Sequence, residues 1–135
     1  MKKIIIILLA VLLIGAGVVI FILMQPEKEP EVFKSHYETG DYFITNVKES
    51  EKLLKTTIVL EVDKAAEDEE FYAFLEENNH VIRNNIISIL REKNEKELRT
   101  DDSMRALATE ISKSINETLG IDNVKTVFFT EYVLQ

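Results

Sequence analysis

Histidines and clustered carboxylates are the side chains of this sequence best suited to metal or acid–base chemistry. The only histidines are His36 and His80, and they form no His-x-x-x-His pair, so a surface imidazole is the favoured interpretation of both. The acidic run "AAEDEE" at residues 65–70 lacks the alternating ligands and central glycine of a calcium loop. It suits the positive end of a helix dipole better, so no metal site is predicted.

Nucleophilic and phosphate-binding patterns are missing from the sequence as well. The chain has no cysteine and no Gly-x-Ser-x-Gly, and two of its four glycines, Gly15 and Gly17, lie in an apolar segment. The sequence therefore predicts a protein that is not an enzyme and has no cofactor. Without disulfides, its fold must depend on a hydrophobic core.

A membrane anchor is predicted at residues 4–24, because this stretch has no charged side chain. A helix of that length spans roughly 31 Å, about the thickness of a bilayer's hydrocarbon core. It exceeds the apolar core of a signal peptide, and no small-x-small cleavage site follows. Lys2 and Lys3 precede it, so residues 1–3 are expected in the cytoplasm and the rest outside, with the chain crossing the inner or plasma membrane once.

The exported part is acidic and begins with a linker. Removing Lys2 and Lys3 from the net charge of −8 leaves −10 for residues 25–135, which argues against nucleic acid as a partner. Residues 25–40 contain both prolines and no periodicity, so a linker is predicted there and a folded domain at 41–135. Phe33 and Tyr37 are apolar exceptions in the linker that would pack on the domain or on a neighbour.

An antiparallel hairpin opens the predicted domain. A short strand at residues 42–47 is followed by a four-residue polar connection and a second strand at 52–63. Alternation puts the following residues of the second strand on one buried face: Leu54, Thr56, Ile58, Leu60 and Val62.

Two amphipathic helices come next. The first is predicted as one long helix over residues 68–92, from apolar residues at three- and four-residue steps. The second has Thr100 as its N-cap and Gly120 as the left-handed residue that ends it. Its apolar stripe consists of Met104, Leu107, Ile111, Ile115 and Leu119.

The final segment "VKTVFFTEYVLQ" (residues 124–135) predicts a strand that is apolar on both faces. Counting by twos sends the even residues, Phe128 among them, to the core and the odd residues to the opposite face. The odd residues Val127, Phe129 and Val133, together with Phe33 and Tyr37, are therefore the candidate interface. A strand apolar on both sides is typical of the interior of a sheet, covered by linker aromatics or by another subunit. The predicted fold is α+β: a transmembrane helix, a hairpin, two helices and a C-terminal strand.

Several of these segments resemble the FliL family of the bacterial flagellar basal body. The similar stretches are "FITNV" at 43–47, "VIRNNIISILREKNEKEL" at 81–98, "EISKSINETL" at 110–119 and the terminal "VKTVFFTEYVLQ". The positions that match the family's motifs are Asn46, Arg83, Asn116, Thr130 and Gln135. Tyr42 departs from the family, in which a proline is common at this position.

The resemblance implies a stomatin/prohibitin-type domain and a role as a non-catalytic accessory that stabilises the motor's stator units in swimming or swarming. Implied partners are stator proteins, other basal body components, membrane lipid through the anchor, and further copies of the chain in a ring. Two alternatives stay open at this point. One is a membrane-tethered, stomatin-like scaffold or sensor unrelated to the flagellum, and the other is a membrane-bound hydrolase.

Overall fold

A computed structural model describes residues 1–24 and 32–135, and the chain divides into two units, residues 1–31 and 32–135. In the first unit, Lys2–Leu23 form helix α1, which has no buried residue. Its length and composition would allow it to cross a membrane.

The second unit is an α+β fold, as the sequence predicts. Its elements are β1 (Ser35–Glu38), β2 (Phe43–Asn46), β3 (Leu53–Val62), α2 (Glu69–Glu77), α3 (Asn79–Arg91), α4 (Asp101–Leu119) and β4 (Val124–Leu134). All the strand pairs are antiparallel. β3 is central: β1 and β2 pair with opposite ends of one of its edges, and β4 pairs with the other edge.

One face of the sheet and the helices enclose a single core. The buried face of β3 is the predicted one, and Leu54, Ile58 and Leu60 are each at most 1% exposed. The helices contribute Leu75, Ile82, Ile86, Leu90, Leu107, Ile111 and Ile115. These side chains all belong to residues 32–135, so this unit has a hydrophobic core of its own.

The predicted long helix is two helices, because the helical path breaks at Asn78. The Asn78 side-chain Nδ2 donates to the Phe74 carbonyl at 2.8 Å and competes with the helical backbone for that acceptor. The predicted ends of α4 are confirmed. Thr100 accepts a hydrogen bond from the Ser103 N–H, and Gly120 has a φ of +67°.

The predicted linker extends too far toward the C-terminus. Residues 35–38 form β1, with Ser35 opposite Val62 and Tyr37 opposite Leu60. Four residues are too few for a periodicity to stand out in the sequence, and the strand is recognisable only from its pairing with β3. The first part of the predicted linker, residues 25–31, lies outside the described residues.

The prediction of which face each β4 residue occupies is wrong in the middle of the strand. Register shifts between Thr57 and Ile58 and between Glu61 and Val62 are β-bulges that place extra residues in β4, at Thr130 and Lys125. Each extra residue reverses the alternation. The inner face consequently carries Val124, Val127, Phe129, Tyr132 and Leu134, whereas Phe128 lies on the outer face.

β4 is also not an interior strand. Within residues 32–135 its strand partner is β3 alone, so its other edge is free. Both faces look apolar when residues are counted by twos, because the bulges reverse the alternation within the strand. In addition, the outer face exposes the apolar side chains of Phe128 and Val133.

Candidate functional site

The outer face of the sheet carries a set of exposed apolar side chains, here called the outer patch: Ile44, Leu53, Phe128 and Val133. Their exposed fractions run from 39% for Leu53 to 64% for Ile44. Ile44 and Val133 lie on either side of Lys55, and Phe128 lies further along β3, opposite Val59. Apolar side chains exposed on one face of a sheet commonly mark an interaction surface.

Polar contacts bind the strands together beside the outer patch. The Lys55 ammonium lies 3.8 Å from the centre of the Tyr42 ring, a cation–π contact. Thr57 Oγ1 and Thr130 Oγ1 are 2.6 Å apart, and the Glu131 N–H donates to Thr57 Oγ1 at 3.0 Å. A hydrogen bond to Glu131, and the charge of that carboxylate, raise the pKa of the Tyr42 hydroxyl. Thr130, a family-motif position, is thus the extra residue of one bulge, and its hydroxyl ties that bulge to Thr57 of β3.

The five predicted interface residues fall into two groups. Val133 and Phe33 are exposed, at 46% and 48%. Val127 is only 4% exposed, Phe129 packs against the core, and Tyr37 is buried in β1. Of the five, only Val133 and Phe33 therefore present largely exposed side chains.

Tyr37 has an internal role instead. Its hydroxyl donates to Glu76 Oε2 in α2 at 2.9 Å. Burial, and then the adjacent Glu76 carboxylate, raise the pKa of the Tyr37 hydroxyl well above its ordinary value. This residue joins β1 to α2 and presents nothing to a partner.

Arg83 holds the segment between β1 and β2. Its Nη1 donates to the carbonyls of Thr39 and Asp41, both at 2.9 Å, and Nη2 donates to the Tyr42 carbonyl at 3.2 Å. The guanidinium also lies over the Phe43 ring, 4.2 Å from its centre. A planar group with several fixed donors suits a set of converging carbonyls, which explains an arginine at this motif position.

Asn116 and Gln135 hold the two ends of β4. Asn116 bonds both backbone groups of Val124, with Nδ2 donating at 2.8 Å and Oδ1 accepting at 3.1 Å. Gln135 exchanges two backbone hydrogen bonds with Leu53, at 2.6 and 3.0 Å. Asn46, the remaining motif position, pairs with Leu53 at the end of β2 and is exposed.

Sequence reasoning missed three members of the outer patch. Ile44 could have been found, because it alternates with Phe43 and Thr45 in a recognised strand. Leu53 could also have been found, since it stands one residue before the inward-facing Leu54 of the predicted strand. Phe128 could not, because counting by twos assigned it to the core.

A groove of about 600 Å³ lies between α4 and β4. It is lined by Met104, Arg105, Ala108 and Thr109 of α4 and by Thr126, Val127, Phe128, Phe129 and Tyr132 of β4. Within residues 1–24 and 32–135, no group of three or more His, Asp or Glu side chains could hold a metal ion. The outer patch and the groove both present apolar side chains at the surface of the unit at residues 32–135.

Comparison with known proteins points to one family. A family model described as "Flagellar basal body-associated protein FliL" matches residues 36–135. The "Flagellar protein FliL" of Aquifex aeolicus (strain VF5) is 30% identical over 110 residues, which are 82% of this chain and 67% of that protein.

Proposed function

Because this chain belongs to the FliL family of flagellar basal body-associated proteins, we propose that it is a membrane-anchored accessory of the flagellar motor. In this role it associates with stator units, stabilises them and thereby supports swimming and swarming. The observation that carries the proposal is the extent of the family match, which includes nearly the whole folded unit.

The proposed anchor is α1, a single membrane-crossing helix. Its 22 residues are almost entirely apolar, and the basic residues Lys2 and Lys3 stand at its N-terminal end. The positive-inside tendency would keep that end in the cytoplasm and the unit at 32–135 outside it. We also propose, from the sequence resemblance, that this unit is of the stomatin/prohibitin type and works by contact, without catalysis.

The outer patch is the proposed contact with the stator. Its four side chains are apolar and exposed on one side of the sheet, whereas the helices occupy the other. Covering such a patch releases water from apolar surface, which is favourable at about 25 cal/mol per Å². Further copies of the chain in the same complex are the second proposed partner.

Deleting the gene and counting stator units per motor at high load tests the proposed role. We expect fewer engaged units and reduced torque, with recovery when the intact chain is restored. Torque and stator number equal to those of the parent strain would contradict it.

A charge substitution then tests the outer patch. Ile44→Glu should fail to restore stator number, because a carboxylate would have to be desolvated in the contact. Ala73→Glu, on the exposed surface of α2, is the matched control and should restore it. Equal recovery by both variants would exclude the outer patch as the stator contact.

Cross-linking in cells tests the alternative function. If the cross-linked partners lacked stator subunits, a scaffold or sensor outside the flagellum would become the better explanation.

A further inference from the structure

The free edge of β4 directs a defined set of backbone groups away from β3. At one end Gln135 and Leu53 exchange hydrogen bonds, and at the other the Asp63 N–H donates to the Asn123 carbonyl. In antiparallel pairs, residues facing the partner alternate with residues facing away, and each bulge adds one residue to the count. Counting from either end gives the same outward-facing residues in β4: Val124, Val127, Phe129, Tyr132 and Leu134.

Only part of this edge is protected. At Val124 the outward N–H and C=O are both satisfied by the Asn116 side chain. Edge strands commonly carry such devices, because unpaired backbone groups are a template for another strand. The section at 126–129, between the two bulges, has no such cap within the described residues, and its side chains are largely apolar.

This section is complementary to itself. We infer that the free edge of β4 pairs antiparallel with the same edge of a second copy of this chain, about a two-fold axis at Phe128. That register places Val127 opposite Phe129 of the second copy, and both residues direct their backbone groups outward, so each such pair exchanges two hydrogen bonds. Lys125, whose Nζ lies 2.8 Å from an Asp63 carboxylate oxygen in its own chain, also comes near Glu131 of the second copy, so opposite charges meet on both sides of the axis.

The groove between α4 and β4 provides the space that this pairing needs. The inner-face side chains of residues 126–129 of the second copy lie next to Val127 and Phe129 of the first. The groove between α4 and β4 is open on this face of the sheet. Met104 of α4, which is half-buried, then offers apolar surface to them. The free backbone groups of residues 126–129 and the half-buried side chains of Phe129 and Met104 are thus covered by one contact.

A two-fold contact closes on itself. The sheets of the two copies become continuous and their outer patches adjoin at Phe128. A larger ring would need a second, different surface on each chain. The pairing does not depend on the proposed stator contact, because it involves this chain alone.

Disulfide formation by the full-length chain in detergent at physiological salt tests the pairing. The chain has no cysteine, so a single introduced cysteine can form a disulfide only with the second copy. Phe128 and its copy form a non-hydrogen-bonded pair with Cα atoms about 4.5 Å apart, within the range of a disulfide. Phe128→Cys should therefore give a cross-linked dimer rapidly under mild oxidation.

Val133→Cys is the matched control, on the same strand and the same face, with an exposure of 46% against 44% for Phe128. In the inferred register the two copies of residue 133 are separated by about ten residues along the strand, or roughly 33 Å. We expect Phe128→Cys to cross-link at least about tenfold faster, because pairing raises the effective concentration of its thiols.

Equal rates for the two variants would overturn the inference, since association through α1 or random collision would not favour position 128. Cross-linking of Phe128→Cys in cells to a different protein, with no self-linked dimer, would also overturn it. If deleting the gene leaves the number of stator units unchanged while Phe128→Cys still cross-links faster than Val133→Cys, the pairing stands and only the proposed function is contradicted.

Discussion

The side-chain amide of Asn116 replaces a missing strand for Val124: its Nδ2 donates to the Val124 carbonyl and its Oδ1 accepts from the Val124 N–H. A residue of α4 thereby fixes the start of β4, eight positions further along the chain. Asparagine can do this because its amide carries a donor and an acceptor side by side, as a peptide group does.

Replacing Asn116 with alanine should therefore destabilise the unit at residues 32–135, produced without α1, by about 1–3 kcal/mol, since two partly buried backbone groups lose their partners. Chemical denaturation measures the change, and faster hydrogen exchange at the Val124 amide should accompany it. Asn84→Ala, at an exposed position of α3, should leave stability within about 0.5 kcal/mol of the parent value. A similar loss in both variants would refute the capping role.

Arg83→Lys should cost about 1–3 kcal/mol, because one ammonium cannot reproduce three hydrogen bonds and a planar contact with Phe43. The denaturant midpoint of the unit at residues 32–135 is the measurement. Arg91→Lys in the last turn of the same helix is the control and should have little effect. If Arg83→Lys were as stable as the parent, the three carbonyls would not depend on the guanidinium.

Adjacent residues of β4 should respond oppositely to a charge. Val127→Asp should lower the free energy of unfolding by more than about 3 kcal/mol, since the carboxylate would be buried without a partner. Phe128→Asp should cost less than about 1 kcal/mol, because its side chain lies on the outer face. Thermal unfolding of the two variants measures the two losses. A larger loss for Phe128→Asp than for Val127→Asp would contradict the bulges and fit an uninterrupted alternation along β4.

Glu95 should contribute a pH-dependent part of the stability. Hydrogen bonds from Lys52 and then Ser50, with a further one from Arg99, lower the pKa of Glu95 from 4.5 to about 2. A carboxyl group whose pKa is depressed in the folded state stabilises that state above the unfolded pKa. Its contribution should be complete above pH 5 and lost as the pH falls from about 4.5 to about 2.

The carbon chemical shift of the Glu95 carboxyl, followed by NMR during an acid titration, measures this pKa directly. Lys52→Met should raise the Glu95 pKa, because it removes the largest cause of the shift. The stability difference between the parent and Glu95→Gln should also shrink below pH 4. A Glu95 midpoint near 4.5 in the parent chain would show that the contact between the β2–β3 turn and the segment before α4 does not form.

The local elements of this protein follow from its sequence, because they depend on near neighbours. An uncharged run of bilayer length specifies α1, and alternation in β3 specifies its buried face. Side chains that cap helix ends specify the limits of α4. Motif residues such as Arg83 and Asn116 could be selected from the sequence, but their partners could not, since those partners are backbone groups brought near by folding.

Tertiary pairing alone decided the faces and neighbours of β4. Two bulges opposite β3 reverse the alternation, so Val127 and Phe129 are inside and Phe128 is outside, the opposite of a count by twos. The same pairing makes β1 a strand and leaves β4 at an edge of the sheet. A bulge exists only relative to the strand it opposes, and for that physical reason one strand's sequence does not reveal which of its side chains a partner can reach.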